Sequence, residues 1–271
     1  MAAALTLALM AGAATAADPH YDRAFMLAAD ARCGLFDRPV TAALASATLQ
    51  ARGAALREGA TAIQAAETAR RARARAAAVD CSNPELRMVA GRVQNAFSGW
   101  ASMRRMDFPG VKGVWMADRT AWDAPRWRLS QAGRVGASPV TVGRASGHDG
   151  LTVAVSFVGR PRPTSARIVA RDAGRFPNPW IARTPTLAPE AQRRALWAGA
   201  TFAADRGLLA TGKRQGEVWR FGASALSVLA GLDPREAFAV EFLFRDGSVA
   251  RVEFEVGDLA AAEAFLSLGA V

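Results

Sequence analysis

Residues 239–256 read AVEFLFRDGSVARVEFEV. Val240, Phe242 and Phe244 alternate with other residues in the first half, and Val252, Phe254 and Val256 do so in the second. A period of two marks a half-buried strand, and Asp246-Gly247 between two such runs marks a hairpin. Parity limits the loop, because directly opposed residues of antiparallel strands share a face. A two-residue loop would set Phe242 against Arg251. A three-residue loop, Asp246-Gly247-Ser248, sets Phe242 against Val252 and Val240 against Phe254. It predicts a type I turn with Gly247 in the left-handed region. It also sets Glu241 opposite Glu253, a mild like-charge repulsion. Asp258 then caps a closing helix, Leu259–Leu268, with Leu259, Ala262, Phe265 and Leu266 as its buried stripe.

Upstream of the hairpin the cadence is similar. Trp127 and Leu129 alternate with Arg126, Arg128 and Ser130. Leu151, Val153, Val155 and Phe157 share a face, and Ala166, Ile168 and Ala170 alternate with Arg167, Val169 and Arg171. Glycines and prolines punctuate these runs, as in an antiparallel sandwich or barrel. Val218–Phe221 reads as a strand and Ala223–Ala230 as a short helix. Leu187–Leu209 reads two ways: a helix over Pro189–Trp197, or a strand over Leu196–Phe202.

Before Met106 the period is helical. Tyr21, Phe25 and Ala28 share a face of a helix that stops near Cys33-Gly34. Pro39 opens a second, weakened by Gly53 and ended by Gly59. A third, about Ala60–Val79, has Ile63, Ala66, Ala69, Ala72 and Ala76 as its apolar face and Arg70, Arg71, Arg73 and Arg75 as its wet one. Asn83 caps a fourth at Pro84, in which Leu86, Val89, Val93, Phe97, Trp100 and Met103 recur at three- and four-residue steps. The expectation is an α+β chain: a leader at 1–17, a helical bundle at 18–106, a linker at 107–113 and a β-rich domain with a C-terminal helix at 114–271.

The first seventeen residues, MAAALTLALMAGAATAA, have a short apolar run followed by small residues. They read as a secretory signal peptide cleaved after Ala16 or Ala17, although the n-region lacks Lys and Arg. A buried Ala/Leu helix is the alternative. Cys33 and Cys81 are the only cysteines. In an exported chain they read as a disulfide, with two buried thiols as the alternative. The middle helices bury mostly alanine, which removes little apolar area, so a cross-link there would offset a thin core. No apolar run reaches the ~20 residues of a spanning helix.

The net charge is +10, divided as +4 over residues 1–110, +11 over 111–215 and −5 over 216–271. A basic middle facing an acidic tail points to internal complementarity at least as much as to an anionic partner. Arg126 with Arg128, and Arg167 with Arg171, are the candidates for an anionic ligand, with tryptophans 115, 122, 127 and 180 in the same region. Chemistry-bearing residues are scarce. There are two histidines, and His148-Asp149 is the only adjacent His–acid pair. Neither G-x-G-x-x-G nor a P-loop is present, and two cysteines without a neighbouring histidine fill no tetrahedral metal shell. The expectation is a periplasmic or secreted interaction or structural protein of a bacterial envelope, without catalysis, metal or cofactor. Its partner would be another envelope protein or an anionic envelope ligand, not nucleic acid. Binding of an anionic ligand through a basic sheet face and hydrolysis by carboxylates are the alternatives.

Overall fold

The computed structural model describes residues 18–159 and 161–271. The expected leader, with Ala16 and Ala17, lies outside the described residues. Four helices come first: α1 (Pro19–Cys33), α2 (Arg38–Arg57), α3 (Ala62–Ala78) and α4 (Pro84–Ala101). Each starts where a side chain takes up orphan amides. Asp18 accepts from His20 and Tyr21, Asp37 from Val40, and Asn83 from Glu85 and Leu86, while Thr61 and Gln64 form a reciprocal capping box. Gly34, at φ +60°, closes α1 in the left-handed region.

Cys33 and Cys81 form a disulfide that ties the end of α1 to the loop after α3, Cα to Cα 5.5 Å. α1 packs chiefly on α3 and α2, and α2 also packs on α4. Two expected faces differ. α3 turns Ala65, Ala72 and Ala76 inward and leaves Ile63 82% exposed, because alanines let its backbone close on α1. In α4 only Leu86 and Ala90 are buried, while Val89 and Met103 are exposed.

The remainder forms two antiparallel sheets sharing one apolar core. The larger contains β1 (Arg105–Pro109), β2 (Val114–Asp118), β3 (Trp127–Val135), β4 (Ser138–Ala145) and β5 (Thr152–Val155). The smaller holds β6 (Ser165–Arg171) and β7 (Arg193–Trp197); β8 (Ala200–Ala203) and β9 (Glu217–Arg220) return to the larger. After α5 (Ala223–Ala230), β10 (Ala237–Leu243) and β11 (Val249–Glu255) complete the smaller sheet, and α6 (Leu259–Leu266) closes the chain. The orders are β1-β2-β3-β4-β5-β9-β8 and β11-β10-β6-β7. The stretch expected as a linker, 107–113, is the second half of β1 and its turn into β2. Glu255 organises that turn by accepting from the amides of Val111, Lys112 and Gly113.

The hairpin keeps the expected parity but shifts by two residues. Phe242 faces Ala250, Val240 faces Val252 and Glu241 faces Arg251. Gly247 is left-handed, at φ +81°. In a three-residue loop that conformation belongs to the last position, after a type I turn. The loop is therefore Arg245-Asp246-Gly247, with Phe244 and Ser248 closing it. The like-charge pair vanishes, and Glu241 sits between Arg167 and Arg251 at 2.7 and 2.6 Å.

Helices and sheets meet along α6. Phe265 packs against Phe108 at 5.7 Å, and Ser46 of α2 donates to the carbonyl of Ala261 at 2.8 Å. Asp258 precedes α6 without capping it, because both carboxylate oxygens are taken by Arg57 of α2 at 2.7 and 2.8 Å. Arg119 is 3% exposed. It donates to the carbonyls of Ala101 and Met103, where α4 ends, and of Gly269, just past α6. One buried cation thus serves the negative ends of two helices.

Candidate functional site

The charge division inferred from sequence is met in part by ion pairs within the chain. Arg144–Glu263, Arg162–Glu217, Arg167–Glu241 and Arg171–Glu236 each join the basic middle to the acidic tail. This accounts for two of the four candidate arginines. Arg171 is 3% exposed and holds both carboxylate oxygens of Glu236; that glutamate also accepts from the amides of Trp180 and Asp233. Arg167 bonds Glu241 and lies over the Trp197 ring at 5.3 Å. Arg128 is half-buried and donates to the carbonyl of Thr120. Arg126 is exposed over Trp122, 5.5 Å from the ring centre. Arg126 and Arg128 border or occupy β3 and Arg167 and Arg171 lie on β6, in different sheets, so no single basic face unites them.

The tryptophans divide as well. Trp115 is in the core and donates to the carbonyl of Val256; Trp127 packs on the outer side of the larger sheet and donates to that of Leu208. Trp122 and Trp180 are exposed. His148 Nε2 lies 3.2 Å from the carbonyl oxygen of Phe221, not against Asp149. Among the described residues no three His, Cys, Asp or Glu side chains group as metal ligands.

The feature that stands out is the segment read two ways from sequence. Residues 193–203 form two edge strands joined by a bend at Gly199. The first, β7, borders the smaller sheet; after Ala198-Gly199 the second, β8, borders the larger. At ~3.3 Å per residue, β7 and β8 are about 17 and 13 Å long. Every residue of β8 is exposed, with Phe202 at 49%, and Trp197 in β7 is exposed at 53%. No described strand pairs with the outer side of either one.

Sheet edges are ordinarily guarded by charge, proline or cover. The β1 edge carries Arg105, Asp107 and Pro109, and the β11 edge carries Arg251, Glu253 and Glu255. Between Ala195 and Ala203 the sequence is ALWAGATFA, with neither charge nor proline. The register gives the polarity of the main chain. Ala204 donates to Gly216 in line with the pairing of β8 on β9. By alternation, Ala200 and Phe202 turn their peptide groups to β9, while Thr201 and Ala203 turn theirs outward.

Arginine flanks this edge. Arg194 lies on β7, and Arg220 of β9 stacks on Phe202 at 4.6 Å. Both are exposed and make no ion pair among the described residues. At the far end, a cavity of about 420 Å³ is lined by Ala203, Ala204, Phe157, Arg162, Arg214 and Glu217, among others. Glu217 Oε1 bonds Arg162 at 3.1 Å, while Oε2 is buried with no hydrogen-bond partner among the described residues. Burial pushes this carboxyl up, with Arg162 pulling it back. Among the described residues, Glu217 is the one acidic residue lining that cavity.

No protein-family model, curated protein or solved structure matches the chain.

Proposed function

We propose that the chain is an exported, non-catalytic interaction protein of a bacterial envelope that captures an extended, acidic segment of a partner by strand addition along residues 193–203. The unguarded stretch Ala195–Ala203 of that edge carries this reading. Outward peptide groups at Thr201 and Ala203 supply main-chain hydrogen bonds, exposed Trp197 and Phe202 supply apolar contact, and the end cavity accepts one side chain. The flanking arginines favour Asp and Glu in the incoming segment. The Cys33–Cys81 disulfide supports an oxidising compartment, and no described helix is long and apolar enough to cross a membrane.

The test is a random-peptide display selection on the full chain. Enriched peptides should be extended and acidic, and their affinity should fall as salt rises. Thr201→Pro removes an outward donor without touching the β8–β9 ladder, and should weaken the enriched peptides at least tenfold. Equal binding by Thr201→Pro, or enrichment of helical or basic peptides, would overturn the proposal.

A further inference from the structure

The bundle carries a second opening, independent of the sheet edge. The α4 stripe divides: Leu86 is buried in the bundle core, while Val93 and Phe97, half-buried against that core, and exposed Val89 also wall a groove. Two cavities of about 520 and 480 Å³ run along it and share Arg23 and Phe97. Each falls within the roughly 300–1,000 Å³ of small-ligand sites. The first is walled by Phe25 and Met26 of α1, Leu44 of α2, and Val89 and Val93 of α4; the second reaches Trp100 and Met103.

Arg23 stands where they join. It is half-buried, donates to the Ala47 carbonyl at 2.9 Å, and has no ion pair among the described residues. A guanidinium has five N–H donors, so this one keeps donors to spare in largely apolar surroundings. Arg75 adds a second cation at the mouth of the first cavity. Among the described residues Asp22 is the one carboxyl there, and burial together with the nearby Asp18 charge pushes it up.

We propose that this groove binds a free single-chain anionic amphiphile of the fatty-acid class, its carboxylate on Arg23 and its alkyl chain against Val89, Val93 and Phe97. Charge complementarity selects the occupant: a purely apolar ligand leaves Arg23 unanswered, and a purely polar anion leaves the α4 stripe wet. The groove lies between helices, so a single chain can enter where a bilayer surface cannot.

The experiment titrates the full chain with dodecanoate below its micellar concentration, following Trp100 by fluorescence and heat by calorimetry. Dodecanol and acetate separate the two halves of the ligand. Dodecanoate should bind at least tenfold more tightly than either. Arg23→Met should cut dodecanoate affinity about tenfold or more while leaving dodecanol unchanged, and Val93→Trp should abolish binding by filling the groove. Circular dichroism and the retained disulfide verify folding, and Val93→Trp adds bulk at a half-open position rather than in a closed core. Equal affinity for dodecanol and dodecanoate would overturn the proposal. So would binding to phosphatidylglycerol vesicles without binding of dodecanoate. A photo-crosslinker at position 93 that captures residues 1–17 or a second copy, in place of dodecanoate, would also overturn it.

Discussion

Gly53 offers a sharp test of how helices and sheets are joined. It lies inside α2, where exchanging glycine for alanine ordinarily stabilises a helix by about 0.5–1 kcal/mol. Here the sign should reverse. A Cβ at Gly53 would stand 1.9 Å from Asp258 Oδ1 and 3.0 Å from its Cγ. That carboxylate cannot swing aside cheaply, because its side chain is 1% exposed and it holds Arg57 through two hydrogen bonds. The added methyl must either push α6 off α2 or break the ion pair, and overpacking of this kind costs about 1–3 kcal/mol. Gly53→Ala should therefore lower Tm by roughly 2–4 °C per kcal/mol for a chain of this size. Gly91 of α4 is the control, since a Cβ there meets nothing within 4 Å; Gly91→Ala should raise Tm on the same scale by about 1–4 °C. Thermal unfolding of the two variants, with Gly53→Ala/Asp258→Ala as the relief pair, gives the readout. The reasoning is refuted if Gly53→Ala is as stable as the parent, or if removing Asp258 brings no relief of the alanine's cost.

Reducing the Cys33–Cys81 bond, which spans 48 residues, should lower stability by about 4 kcal/mol on the chain-entropy scale; an unchanged melting curve in strong reductant rejects this. Arg171→Met strands Glu236 in the interior and should cost about 3–5 kcal/mol, with much of it recovered in Arg171→Met/Glu236→Leu; chemical denaturation compares them. His20 is buried, and desolvation, with a smaller push from Arg52 against a pull from Asp18, holds its imidazole below the ordinary value of 6.5. The unfolded chain therefore takes up this proton first, and stability should fall as pH drops below 6.5, levelling off once the folded imidazole also titrates. His20→Gln should flatten that segment of the stability–pH curve, and identical slopes in the two proteins would contradict the assignment.

The distance between sequence and structure is instructive at particular residues. The C-terminal hairpin was legible in its parity, because opposed side chains must share a face. Its register differs by two residues because a loop centred on Gly247 satisfies the same parity, whereas a left-handed glycine closes a three-residue loop. The α+β division followed from the change of period near Met106, and the Cys33–Cys81 disulfide from an even pair beside alanine-rich helices. The α4 stripe is core only in part, with Leu86 buried, Val93 and Phe97 half-buried and Val89 and Met103 exposed, because spacing reports which residues align, not whether a neighbour covers them. In Ala195–Ala203 no alternation could be found, since neither face of β8 is buried and nothing there selects apolar from polar. The helix-joining role of Arg119 and the contact of Gly53 with Asp258 were not legible, since Gly269 and Asp258 lie more than a hundred residues away.

The most direct test of the central claim is residue-resolved amide exchange across 193–203, with and without an enriched acidic peptide. In the free protein Thr201 and Ala203 should exchange quickly while Phe202 is slower. Saturating peptide should protect Thr201 and Ala203 and leave the β1 and β11 edges unchanged. Protection that falls elsewhere, with these two amides still open, would contradict strand addition at this edge.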